Sequence, residues 1–161
     1  MRCRWWQLLI THSGFAPEDG SSVEEFFGKF LTFCKNETIP FVKQTKKGER
    51  TVDLRPLICE ARIAERKEYV PAMVADWYPD LENETVEEEK QAEGICVFLR
   101  LLSGSAANGK PEQVLQAFYE SLGLTYRPFA IQVEREELYA DEGAEGTPEY
   151  VPLEAYGSEI V

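Results

Sequence analysis

Residues 95–102 read Ile95-Cys96-Val97-Phe98-Leu99-Arg100-Leu101-Leu102, and the reading of this stretch decides the fold. Side chains alternate along a strand. Ile95, Val97, Leu99 and Leu101 therefore share one face, while Cys96, Phe98, Arg100 and Leu102 share the other. Both faces are mainly apolar, which places the strand mid-sheet. Downstream, Ser103 to Lys110 is a loop of small residues, and Pro111 suits the first position of a helix, where its missing N–H costs nothing. Val114, Leu115, Phe118, Tyr119 and Leu122 make that helix's apolar stripe, and Gly123 stops it. A last strand is expected over Tyr126 to Arg135, with Phe129, Ile131 and Val133 on one face. Its polar second face and Pro128 suit an edge strand.

Upstream, Ile39 to Thr45 and Arg50 to Leu54 read as a hairpin around Lys46-Lys47-Gly48-Glu49, where glycine supplies positive φ. Leu57 to Ile63 reads as a further short strand or a turn. Ser21 or Ser22 can cap a helix, with Glu24 or Glu25 as the reciprocal partner, and Val23, Phe26, Phe27, Phe30, Leu31 and Cys34 recur at helical spacing after it. Arg4 to Thr11 is an aromatic and aliphatic strand. The order of strand, helix, strand pair, strand, helix, strand predicts an α+β two-layer sandwich. The expected pattern is the ferredoxin-like split βαβ, with two helices on one face of a mainly antiparallel sheet.

One domain is expected over 1–139, with an acidic insertion at about 76–93 and an acidic, partly irregular tail over 140–161. The 161 residues carry 17 Lys and Arg against 29 Asp and Glu, a net charge of −12, so contact with a polyanion must be local. Charge is unevenly spread. Residues 43–67 carry eight basic and four acidic side chains, 68–93 nine acidic and one basic, and 134–161 nine acidic and one basic. No apolar run approaches the roughly 20 residues that span a bilayer. The start Met1-Arg2-Cys3-Arg4-Trp5-Trp6 lacks the pattern of a signal peptide, so a cytoplasmic protein with no membrane contact is expected.

Cys3, Cys34, Cys59 and Cys96 lie at least 25 residues apart, which excludes CxxC metal spacings and favours reduced, mostly buried thiols. His12 is the only histidine, and it reads as an exposed loop residue rather than the centre of a catalytic triad. Paired carboxylates such as Glu87-Glu88-Glu89 and Glu136-Glu137 lie in acidic runs with no sign of burial to tune a pKa, and read as solvated faces. No catalytic constellation and no cofactor-binding motif is evident.

Three segments resemble the C-terminal half of the radical SAM-linked protein family, a bacterial family of uncharacterised function found fused to or encoded beside radical SAM enzymes. They are Thr45 to Ile58 (TKKGERTVDLRPLI), Gly104 to Leu115 with Lys110-Pro111-Glu112-Gln113-Val114-Leu115, and Arg135-Glu136-Glu137-Leu138-Tyr139. The resemblance covers roughly residues 4–153. The family's N-terminal half, with its Ser-His-Leu-Asp segment, has no counterpart here, and Lys110 stands where the family more often has arginine. The chain has no CxxxCxxC motif, so the resemblance implies association with a radical SAM enzyme rather than its chemistry. It also implies an RNA- or ribosome-related setting.

The candidate partner-binding residues are Lys46, Lys47, Arg50, Asp53, Arg55, Gly104, Lys110, Arg135 and Tyr139. Lys43, Lys46, Lys47, Arg50 and Arg55 form a basic hairpin that reads either as a phosphate or RNA contact or as a solvated tip protecting a strand edge. Asp53 and Arg55 read as an ion pair or a shared ligand site. The Gly104 to Lys110 loop leads into a helix N-terminus suited to an anion, though no Walker A sequence follows. Arg135 and Tyr139 read as anchors of the tail. The function expected is a non-catalytic accessory module associated with a radical SAM enzyme; the alternative is a small RNA-binding domain using residues 43–55.

Overall fold

Local chemistry sets the helices. In the computed structural model, which describes residues 2–10, 15–64, 96–104 and 108–157, α1 (Val23–Phe33) opens on a full capping box. The Ser22 hydroxyl accepts from the Glu25 amide at 3.2 Å, and the Glu25 carboxylate accepts from the Ser22 amide at 3.2 Å. Helix α2 (Pro111–Ser121) starts on its proline and ends in a Schellman turn. Gly123, at φ 71°, donates its amide to Glu120 O at 3.0 Å, and Leu124 donates to Tyr119 O at 2.9 Å.

Ahead of α1, the Asp19 carboxylate accepts from Lys29 Nζ at 2.8 Å and from the Ser21 amide and hydroxyl. Lys29 first, then Ser21, holds the Asp19 carboxyl at about 2 instead of 3.8. A carboxyl depressed in the folded state stabilises above its unfolded pKa, and the contribution disappears as pH falls through the folded value. Asp19→Asn is expected to lower the thermal midpoint at pH 7 and to match the unsubstituted protein near pH 2. Calorimetry showing one constant difference from pH 7 to pH 2 would refute the pairing.

Strands β1 (Arg2–Ile10), β4 (Ile58–Ala64), β5 (Cys96–Ser103), β6 (Gln132–Asp141) and β7 (Tyr150–Pro152) form one sheet in the order β4-β5-β1-β6-β7. Every neighbouring pair is antiparallel. The fold is therefore a mixed α+β class. Strand β5 lies inside the sheet, as its two apolar faces require. In register, Leu9 sits opposite both Val97 and Val133, and Trp6 opposite Arg100. Val97, Leu99 and Leu101 join one core with Phe26, Phe27 and Phe30 of α1 and Val114, Leu115 and Phe118 of α2. The phenylalanine rings meet edge to face: Phe118 lies 5.1 Å from Phe26 and 5.3 Å from Phe30, the geometry that aromatic quadrupoles prefer. Even-numbered residues of β5 take the other face. There the Arg62 guanidinium lies 4.4 Å over the Phe98 ring, and Arg100 lies 4.3 Å over Tyr150 while bonding Glu60 at 3.1 Å.

The strand pair β2 (Pro40–Thr45) and β3 (Gly48–Asp53) is a separate two-stranded sheet, not part of the main one. Its turn is shorter than the sequence suggests: Thr45 and Gly48 are paired, leaving Lys46 and Lys47 as the loop, with Gly48 at φ 119°. The strand of the main sheet is instead Ile58–Ala64, entered through a single 3₁₀ turn at Arg55–Leu57. The last long strand starts at Gln132 rather than Tyr126 and lies between β1 and β7. It runs past residue 139, and the tail adds β7 by pairing Ala140 with Val151. A tight turn joins β6 to β7, in which the Asp141 carboxylate accepts from the amides of Gly143 and Glu149 at 3.1 and 3.2 Å. Tyr156 then donates to the Glu142 carboxylate. His12, the side chains of Trp5 and Trp6, and the acidic stretch at 76–93 lie outside the described residues. No helix among the described residues is long and apolar enough to cross a membrane.

Candidate functional site

Glu112, Gln116 and Glu120 stand four residues apart on α2 and so line up on one face. Gln116 Nε2 donates to Glu120 Oε1 at 2.9 Å, which orients that carboxylate. The Schellman turn brings Leu124 back beneath them. Tyr126 then packs its ring 5.5 Å from Tyr119. Burial pushes the Tyr119 phenol up to about 12. Burial, then the Glu112 charge, raises that of Tyr126 as well, so both stay neutral donors.

The chain next turns through Arg127-Pro128-Phe129-Ala130, closed by the Ala130 amide donating to Arg127 O at 3.2 Å. Proline fits the second position of such a turn. The third takes φ of 69° and would ordinarily be glycine or asparagine. Here it is Phe129, which is 94% exposed. Ile131 is buried immediately after it. The result is a cleft of about 910 Å³ between α2 and the start of β6. Leu124, Tyr126, Pro128, Phe129, Ile131 and Val133 supply its apolar wall, and Glu112 and Glu120 its charge. No cation lines it. The sequence assigns Phe129 to the apolar face of a strand. Corrected, it is an outward aromatic at a turn, because its positive φ is incompatible with extended backbone.

Lys110 and Arg135, distant in sequence, come together. With Asn108, Gly109 and Glu112 they line a second cleft of about 590 Å³ at the start of α2. Gly109 is closely packed there: a Cβ would lie 3.0 Å from Leu101 Cβ, while its amide donates to Leu102 O at 2.8 Å. Gly104 follows β5 in an exposed position and does not line this cleft, and 105–107 lie outside the described residues. Tyr139 stands apart: its ring meets Tyr150 at 6.5 Å and ties β7 to β6.

The hairpin carries a different set. Lys43, Lys46, Lys47 and Arg50 are all exposed, and Lys43 faces Arg50 directly across the two strands. The opposite pair, Gln44 and Glu49, is joined by a 2.7 Å hydrogen bond. Asp53 and Arg55 do not pair with each other through their side chains. Asp53 Oδ1 accepts from the amides of Ile39 at 2.8 Å and Arg55 at 3.0 Å, and these bonds hold its carboxyl below the ordinary value. The Arg55 guanidinium donates to Ile58 O at 3.0 Å. Asp53 ties the hairpin's exit back to its entry at Ile39, and Arg55 ties it to the first residue of β4. Cys34, buried behind them, keeps a thiol pushed up to about 12 by desolvation.

Compared with family models, curated proteins and solved structures, the chain matches none.

Proposed function

We propose that this chain is a non-catalytic interaction module that docks a partner protein in the cleft beside Phe129. The partner, as the sequence resemblance implies, is a radical SAM enzyme of the bacterial cytoplasm working in an RNA- or ribosome-related setting. Phe129 carries this reading. An aromatic side chain held 94% exposed at φ 69° contributes no burial and stores backbone strain of about 1–3 kcal/mol, a combination that serves a partner rather than the isolated domain. The two carboxylates of the cleft, Glu112 and Glu120, fit a segment with apolar side chains flanked by Lys or Arg.

The scaffold we infer is the ferredoxin-like one. Its support is the strand order: β5 separates β1 from β4 across α1, and β1 separates β5 from β6 across α2, the split βαβ arrangement used twice. That both helices share one core with Val97, Leu99 and Leu101 supports their covering a single face.

The test is affinity capture from ribonuclease-treated extract with the tagged chain, Phe129→Ser and Glu120→Lys. A protein bearing CxxxCxxC should co-purify with the unsubstituted chain and fall at least about tenfold with either variant, as for a central contact. Absence of such a protein, or equal recovery by all three, defeats the reading. Phe129→Gly should separate stability from binding: the turn relaxes and the thermal midpoint rises by the equivalent of about 1 kcal/mol, while capture is lost.

A further inference from the structure

We infer that the β2–β3 hairpin is a phosphate-gripping arm that takes the backbone of a nucleic-acid strand, independently of any partner in the cleft beside Phe129. The inference starts from register. Like charges directly opposite one another on a hairpin are destabilising, yet Lys43 and Arg50 are paired in this way. Lys46 and Lys47 extend the same charge through the turn. The chain holds an excess of twelve acidic charges, and among the described residues none of these four cations has an ion pair with any of them. By contrast Lys29, Arg62, Arg100 and Arg127 each bond a carboxylate. Cations left unneutralised in so acidic a protein are available for an external polyanion, and each phosphate they neutralise releases counterions.

The shape selects the polyanion. The hairpin is a two-stranded sheet of its own, its base packed into the core through Ile39, Phe41 and Leu54 while residues 42–51 are all exposed, so a flexible strand can reach the cations at its outer end. A flat anionic membrane would face the acidic remainder of the chain as well. The arm also lacks an apolar stripe for insertion, since Val42 is its single strongly exposed aliphatic side chain. Arg55 and Asp53 are committed to backbone groups and do not belong to the grip.

The probe is a 5′-fluorescein-labelled 20-mer of uridine, titrated with the full chain and followed by anisotropy. Binding in the 10⁻⁶ to 10⁻⁴ M range at low salt is expected, weakening about 50-fold between 50 and 200 mM salt if four phosphates are held. Lys43→Glu should weaken binding at least about tenfold and raise the thermal midpoint, because the substitution turns a repulsive cross-strand pair into an attractive one. Lys35→Glu, an exposed charge reversal outside the arm, should leave the affinity within twofold. Three results overturn the inference: no binding of the 20-mer at 50 mM salt, equal binding by Lys43→Glu, or hairpin-dependent binding to phosphatidylglycerol vesicles without binding to the 20-mer.

Discussion

Phe118→Ala is expected to cost about 3–5 kcal/mol of folding stability, a large share of the roughly 5–15 kcal/mol that a domain possesses. Phe118 is 1% exposed and sits where both helices meet the sheet. Its ring contacts Phe26 at 5.1 Å, Phe30 at 5.3 Å and Phe33 at 5.4 Å. Removing it opens a cavity walled by rings on α1, which cannot follow the missing atoms without leaving β5. The transfer and cavity contributions therefore both apply, along with the edge-to-face contacts. Urea unfolding followed by circular dichroism should show a lower midpoint with an unchanged slope. A midpoint shift worth under 1 kcal/mol would mean that the two helices do not share this core.

Gly143→Ala should act at one edge of the sheet rather than through the core. A Cβ at 143 would collide with Thr147 O and lie 2.5 Å from Glu149 N and 2.8 Å from Pro148 C. These are backbone atoms and cannot swing aside. The turn closed by Asp141 must open, and with it the pairing of Tyr139, Ala140 and Asp141 with residues 150–152. A crowding penalty of about 1–3 kcal/mol is expected, confined to β7. Amide exchange at Val151 should accelerate about 5- to 150-fold while the core amides of β5 hold their rates. Tyr150 would then slide from beneath Arg100. Uniform acceleration across the sheet would instead show that β7 unfolds with the whole domain.

What the sequence disclosed was what neighbours in the chain decide. The Ser22–Glu25 box, Pro111 and Gly123 at the two ends of α2, and the doubly apolar β5 are each set within a few residues, and each is found where it was expected. Strand adjacency was less legible. Nothing in Pro40 to Asp53 shows that the hairpin pairs only with itself, because that depends on β4 taking the place beside β5. Phe129 was hidden for a physical reason. Phe-x-Ile-x-Val carries the alternation of a strand, and the positive φ that breaks it stands at a residue type that disfavours it. Proline at 128 was the available clue. Asp53 and Arg55 invited an ion pair by spacing, but the amides of Ile39 and Arg55 are the donors that the Asp53 carboxylate accepts from. The meeting of Lys110 with Arg135 follows from α2 crossing beside β6, and no local pattern announces it.

The strand order also governs when the sheet can exist. Among the strands before residue 65, β1 and β4 are not neighbours; among those from 96 to 141, β5 and β6 are not neighbours either. Each half of the chain supplies alternate slats, so neither closes a ladder of the main sheet from its own strands through β6. On the ribosome, the first 64 residues can offer a helix and a hairpin, but β1 waits for β5 and then for β6, roughly 5 to 25 s of synthesis later. Assembly is thereby postponed until the two halves can interleave, and the large sheet forms late and together rather than strand by strand.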